Sequence, residues 1–166
     1  MKKTLLCTAI AFICTAFAFS QSSEVMSEII DSEKATCAQI SYLPALYANK
    51  ITEDDSSKSI GVMPASKEGP SPTKESFEAL KAEDFFASDD EADSAATVAK
   101  ISYVYMKALG IKGGLFYTLF PSPRYAFKEL KARGILPVET DPSMTISGRE
   151  SLDLFSSCLE IVGGNE

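Results

Sequence analysis

The chain has 166 residues, with 16 Lys and Arg against 23 Asp and Glu and no histidine, for a formal net charge of −7. That balance argues against nucleic acid, whose binding depends on clustered cations, and against an electrostatic hold on anionic lipid. The missing histidine removes the commonest general base, the commonest metal ligand and every Ser-His or Cys-His nucleophilic pair, so no cofactor or metal is expected.

At the front, Lys2-Lys3 precedes an uncharged run from Thr4 to Phe19 that ends in small residues. This is the layout of a secretory signal peptide, and the run is shorter than the roughly 20 residues a permanent span needs. Cleavage near Ser20 leaves Gln21 first; the lipoprotein alternative at Cys7 or Cys14 is weaker, because Leu6 and Ile13 are not small. Residues 1–20 are therefore read as an export signal, placing the mature chain in the periplasm, in the cell envelope or outside the cell. That chain keeps 14 basic and 23 acidic side chains, a net charge of −9, and no further apolar stretch long enough to span a membrane. Cys37 and Cys158 survive cleavage. They either pair as a disulfide in an oxidising compartment or stay separate buried thiols.

Residues 21–48 read as an N-terminal helical segment. Val25, Met26, Ile29 and Ile30 suit a short helix. Ile40, Leu43, Leu46 and Tyr47 have helical spacing, although Pro44 is expected to sit in a first turn or break it. Residues 49–71 are polar and rich in Ser, Asp, Lys, Gly and Pro, the composition of a linker. The globular part is expected over 72–164.

Within it, one segment is written twice, fifty residues apart. Phe77, Leu80-Lys81-Ala82, Leu109, Ile111 and Gly113-Gly114 recur as Phe127, Leu130-Lys131-Ala132, Leu159, Ile161 and Gly163-Gly164, eight identities in 38 paired positions. Pro-Ser-Pro triplets, 70–72 and 121–123, precede the two copies. A repeat of this length implies a supersecondary unit that buries its apolar face against its neighbour. Each copy reads as helix, loop, helix: Thr73 to Ala82 then about Ser94 to Leu109, and Pro123 to Arg133 then about Gly148 to Val162. Val98, Ile101, Tyr105 and Leu109, and Leu152, Phe155, Leu159 and Val162, form the inward stripes. Ser147 and Glu150 have capping-box spacing, and Gly110, Gly134 and Gly163 are expected as helix stops. Phe116, Tyr117 and Phe120, in a strand-like bridge or core-filling loop, are expected to seal the seam between copies. The fold class is thus mainly α: two tandem helix-loop-helix repeats packed together, preceded by a helical segment and a flexible linker.

Candidate chemistry is sparse. Glu83, Asp84, Asp89, Asp90, Glu91 and Asp93 form an acidic run read as a solvated loop before a helix N-terminus. Calcium and a carboxylate pair for glycoside hydrolysis are its functional alternatives. Gly110-Ile-Lys-Gly-Gly114 lacks the Lys-Ser/Thr of a phosphate loop and reads as a turn. Arg124, Tyr125 and Arg149 lie near predicted helix starts, where they could hold an anionic or hydroxyl-rich ligand.

The second copy resembles an S-layer homology module. The residues are Leu130-Lys-Ala-Arg-Gly134-Ile135, Asp141-Pro142, and Ile146-Ser147-Gly148-Arg149-Glu150 with Leu152. The first copy supplies Leu80, Phe85, Thr97 and Leu109-Gly110-Ile111, and the likeness covers about residues 75–162. It implies a pseudo-threefold helical unit that binds cell-wall polysaccharide, with Ser147 and Glu150 at matching motif positions; Arg124, Tyr125 and Arg149, read from the helix starts, complete the candidate ligand set. Gly148 stands where the family's Thr-Arg-Ala-Glu motif has its ligand-contacting arginine, and Arg149 lies about 100° further round the helix. Two repeats are readable where the family has three; a degenerate third in 24–48, or self-association, could complete the set.

The expected role is non-catalytic binding or scaffolding in the envelope, with envelope glycan or another envelope protein as partner. The alternatives are a secreted carboxylate-based glycan hydrolase and a protein–protein docking module built on the apolar residues 116–120.

Overall fold

The structure, a computed structural model, describes residues 23–54 and 71–164. The export segment and residues 55–70 of the expected linker lie outside them. The described chain is mainly helical: α1 (23–31), α2 (Cys37–Asp54), α3 (Pro72–Ala82), α4 (Val98–Ala108), α5 (Leu115–Leu119), α6 (Pro123–Ala132) and α7 (Gly148–Gly163). Among the described residues none of the helices is long and apolar enough to cross a membrane.

Local chemistry explains most boundaries. Pro72 and Pro123 open α3 and α6, where a missing N–H costs nothing. Thr97 caps α4 by accepting from Lys100 N–H, and Ser147 with Glu150 completes a capping box on α7. The helix therefore starts at Val98, four residues later than expected, because Ser94 to Thr97 bond to other segments instead. At the other ends, Asp84, Gly110 and Gly134 adopt positive φ, closing α3, α4 and α6. Gly163 does not act this way: α7 runs through it and stops at Gly164 with φ −83°.

The fifty-residue correspondence holds through the helix-loop part and then ends. Phe77 and Phe127, Leu80 and Leu130, and Phe86 and Leu136 are buried at paired positions. Lys81 donates to the Asp90 carbonyl with its ammonium 5.4 Å from the Phe77 ring centroid; Lys131 donates to the Thr140 carbonyl at the same 5.4 Å from Phe127. Beyond Ala108 the paths separate, since α4 ends while α7 continues. The paired Leu, Ile and Gly-Gly identities at 109–114 and 159–164 therefore sit in different local structure.

Two further departures concern the front of the domain. Helix α2 continues through Pro44, which is fully buried between Ile40 and Ala45. An interior proline costs about 3 kcal/mol, and burying side chains of this kind returns roughly 1.5–3 kcal/mol each. The core also does not begin at Pro72. Ala35, Cys37, Ala38, Ile40 and Ala45 belong to one cluster with Phe77, Leu80, Ile101, Tyr105, Leu130 and Phe155. Tyr105, fully buried, packs edge-on against Phe155 at 5.0 Å.

The segments just before α2, α4 and α7 tie these three helices into a ring. Cys37 N–H donates to the Ser94 carbonyl at 2.9 Å, Val98 N–H to Met144 at 2.8 Å, and Gly148 N–H to Ser32 at 3.0 Å. Each bond satisfies one of the amide groups that a helix start leaves without an intrahelical partner. Ala96 N–H to Ala35 and Ala35 N–H to Ile146, both 2.8 Å, reinforce the junction. The sequence carries a sign of this in Ala35-Thr36-Cys-Ala38-Gln-Ile40-Ser41-Tyr42, which returns as Ala96-Thr97-Val-Ala99-Lys-Ile101-Ser102-Tyr103. Thr36 caps α2 as Thr97 caps α4, and Gln39 returns a bond to Thr36 N–H at 3.0 Å.

Candidate binding surface

The linker between α4 and α6 forms the most unusual surface. Gly113 and Gly114 turn the chain into the five-residue helix α5. A side chain at Gly113 would collide with the Tyr117 ring at 2.6 Å, so glycine is required where α5 folds back. Glu129 on α6 accepts Gly114 N–H at 2.8 Å and Arg133 Nε at 2.9 Å, while Arg133 also donates to the Lys112 carbonyl at 2.6 Å. The Gly114 amide, then Arg133, hold the Glu129 carboxyl below its usual range. This latch fixes α5 to α6.

Held this way, α5 points Tyr117 inward and its apolar face outward. Tyr117 is half-buried against the core, and burial pushes its hydroxyl up to about 12. Leu115, Phe116 and Leu119 of α5, and Phe120 just past its end, are 70, 65, 60 and 64% exposed. The expectation that Phe116 and Phe120 seal the seam is therefore corrected: Tyr117 alone of the three reaches the core, because a five-residue helix can bury only one side. Phe116 instead stacks on Tyr125 at 5.8 Å and 12°, and both line a cleft of about 270 Å³ with Lys128 and Glu129.

The residues proposed from sequence as one ligand site are not brought together. Tyr125 lines the α5 cleft, and its neighbour Arg124 is exposed at the start of α6. Glu150 lines a second cleft of about 380 Å³ with Leu136, Met144, Ile146 and Asp153. Its carboxylate accepts from Ser147 N–H and Oγ, each at 2.8 Å, which holds its pKa down. A general acid for glycoside cleavage needs the opposite shift. Arg149 is exposed and lines neither cleft. The residue following each cap is Cys37, Val98 or Gly148, and all three are buried. At Gly148 a Cβ would lie 1.7 Å from the Ile29 carbonyl oxygen.

The acidic run is engaged in local structure. Asp90 pairs with Lys100 and accepts Ala87 N–H, and Asp93 pairs with Lys74 at 2.7 Å. Among the described residues no group of acids or cysteines has metal-binding geometry. Cys37 and Cys158 are free buried thiols. Cys37 lies 3.3 Å from Ser94 Oγ, and burial pushes Cys158 up to about 12.

The docking alternative on residues 116–120 already includes Leu119, whereas Leu115, Lys112 and Lys128 were not singled out by the sequence reading. The available signal was the shortness of the segment between Gly114 and Pro121, too brief for an apolar run to be covered on every side.

No family model matches the chain, and no curated protein or solved structure matches it.

Proposed function

We propose that this chain is an exported, envelope-associated binding or scaffolding module without catalytic activity, and that it meets its partner through the outer face of α5. The observation that carries the reading is the exposure of Leu115, Phe116, Leu119 and Phe120, four large apolar side chains within six residues of a segment latched to α6. Contiguous apolar surface rimmed by polar residues marks interaction sites. The export-like front of the chain supports the compartment. The S-layer homology resemblance supports the class of role, but its mode of ligand contact is not supported, since Cys37, Val98 and Gly148 fill the motif's arginine position from inside the core.

The test is co-sedimentation of the mature chain with isolated envelope fractions. Leu119→Ser with Phe120→Ser should abolish recovery while leaving circular dichroism and the melting temperature unchanged. Recovery equal to the parent chain would contradict the proposal.

A second reading, attachment to envelope glycan, has one observation in its favour: the Phe116–Tyr125 stack beside Lys128 and Glu129 offers an aromatic platform with polar groups at its edge. Tyr125→Ala should then release the chain from purified wall polysaccharide. No binding at any salt concentration would discard this reading.

A further inference from the structure

Net charge conceals how charge is distributed in this chain. From Ser94 to Val138 there are seven Lys and Arg and a single acid, Glu129, inside a protein whose overall charge is −7. The Glu129 carboxylate is already engaged by Gly114 N–H and Arg133. Lys100 is paired with Asp90, and Lys107 and Lys131 donate to backbone carbonyls. The remaining three, Lys112, Arg124 and Lys128, are exposed and have no carboxylate partner among the described residues. These three border α5: Lys112 just before Gly113-Gly114, Arg124 just after the Pro-Ser-Pro that follows Phe120, and Lys128 in the α5 cleft.

We infer that the outer face of α5 is a membrane-interface anchor. Leu115, Phe116, Leu119 and Phe120 enter the headgroup–acyl boundary of an anionic lipid surface while Lys112, Arg124 and Lys128 meet its headgroups. This rests on the reading of α5 as the binding face and names the partner. Apolar aromatic and leucine side chains ringed by cations are the composition that interfacial anchoring requires. Lysine and arginine stems can lie along the apolar edge while their charges stay in water. A second copy of this chain fits less well, because a twofold contact through this face would bring the basic rim of one copy against that of the other. In the acidic run, Asp90 and Asp93 pair with Lys100 and Lys74 and not with these three cations.

The experiment is flotation of the mature chain with phosphatidylcholine vesicles and with vesicles in which phosphatidylglycerol replaces part of that lipid. Binding should be at least about tenfold stronger to the anionic vesicles at low salt and should weaken as salt rises. Lys112→Gln, Arg124→Gln and Lys128→Gln together should remove the anionic preference. Leu119→Ser with Phe120→Ser should remove binding to both, with circular dichroism unchanged. Failure of vesicles to recover the chain while lipid-stripped envelope fractions do so would overturn the lipid inference and leave the binding-module reading standing; failure of both would overturn both. A concentration-dependent dimer by light scattering, lost in the Leu119/Phe120 variant, would assign the face to a second copy and also overturn the inference.

Discussion

Asp84 and Gly134 stand fifty residues apart in the same left-handed corner, at φ 61° and 74°. The two amides at each corner bond back in the same way: Asp84 to Lys81 and Phe85 to Leu80, Gly134 to Lys131 and Ile135 to Leu130, all between 3.1 and 3.2 Å. A side chain in this conformation costs about 1–2 kcal/mol, less for Asp because it can bond locally. Gly134→Ala should therefore destabilise by about 1–2 kcal/mol in urea unfolding, and Gly134→Asp by less. Equal stability of all three proteins would contradict the shared corner.

Gly148 tests how α1 docks. Alanine there drives a Cβ into the Ile29 carbonyl, whereas at Gly163 it meets nothing within 4 Å. Gly148→Ala should cost about 2–4 kcal/mol through backbone displacement. Gly163→Ala should be neutral or gain up to about 1 kcal/mol. The difference is read as the gap between their urea midpoints, and similar midpoints would mean that α1 does not lie against α7.

The α5 latch should depend on acid. Glu129 has a folded pKa below its unfolded value, so its contribution is present above the ordinary glutamate pKa of about 4.3 and is lost as pH falls through the depressed folded value. The Gly114 amide resonance should titrate with a midpoint below about 4.3, and Glu129→Gln should abolish that titration. A midpoint at or above the ordinary value would show that the latch is not formed.

Cys37 and Cys158 should resist modification in the native protein, since burial raises both thiols, Cys158 to about 12. Thiolate is the reactive form. A thiol reagent should label neither residue until denaturant is added, and mass spectrometry without reductant should find no link between them. Rapid native labelling, or a disulfide, would contradict the buried environments.

The helices of the C-terminal half were readable because caps and stops are local. Pro72, Pro123, Ser147, Gly110 and Gly134 act through their own backbone neighbours, whereas the start of α4 at Thr97 depends on contacts of Ser94 to Thr97 with other segments. The helical spacing of Ile40, Leu43, Leu46 and Tyr47 is legible, but a Pro44 inside α2 is not, because the cost of a local breaker is offset by burial among distant residues. Residues 35–42 lie inside the 24–48 segment named as a candidate degenerate third repeat, but their match to 96–103 shows only when the two stretches are set side by side. The ligand residues were grouped by predicted helix starts, but Tyr125 and Glu150 line different clefts. The exposed face of α5 follows from the Glu129 latch, a contact from a separate helix that no local pattern announces.

The ring that joins the amino ends of α2, α4 and α7 is the central claim, and native-state hydrogen exchange at the amides of Cys37, Val98 and Gly148 tests it most directly. All three should exchange only with global unfolding, at the same free energy as amides within α4. Fast exchange at Cys37 or Gly148, with Val98 still protected, would mean that the N-terminal segment is not part of one cooperative fold.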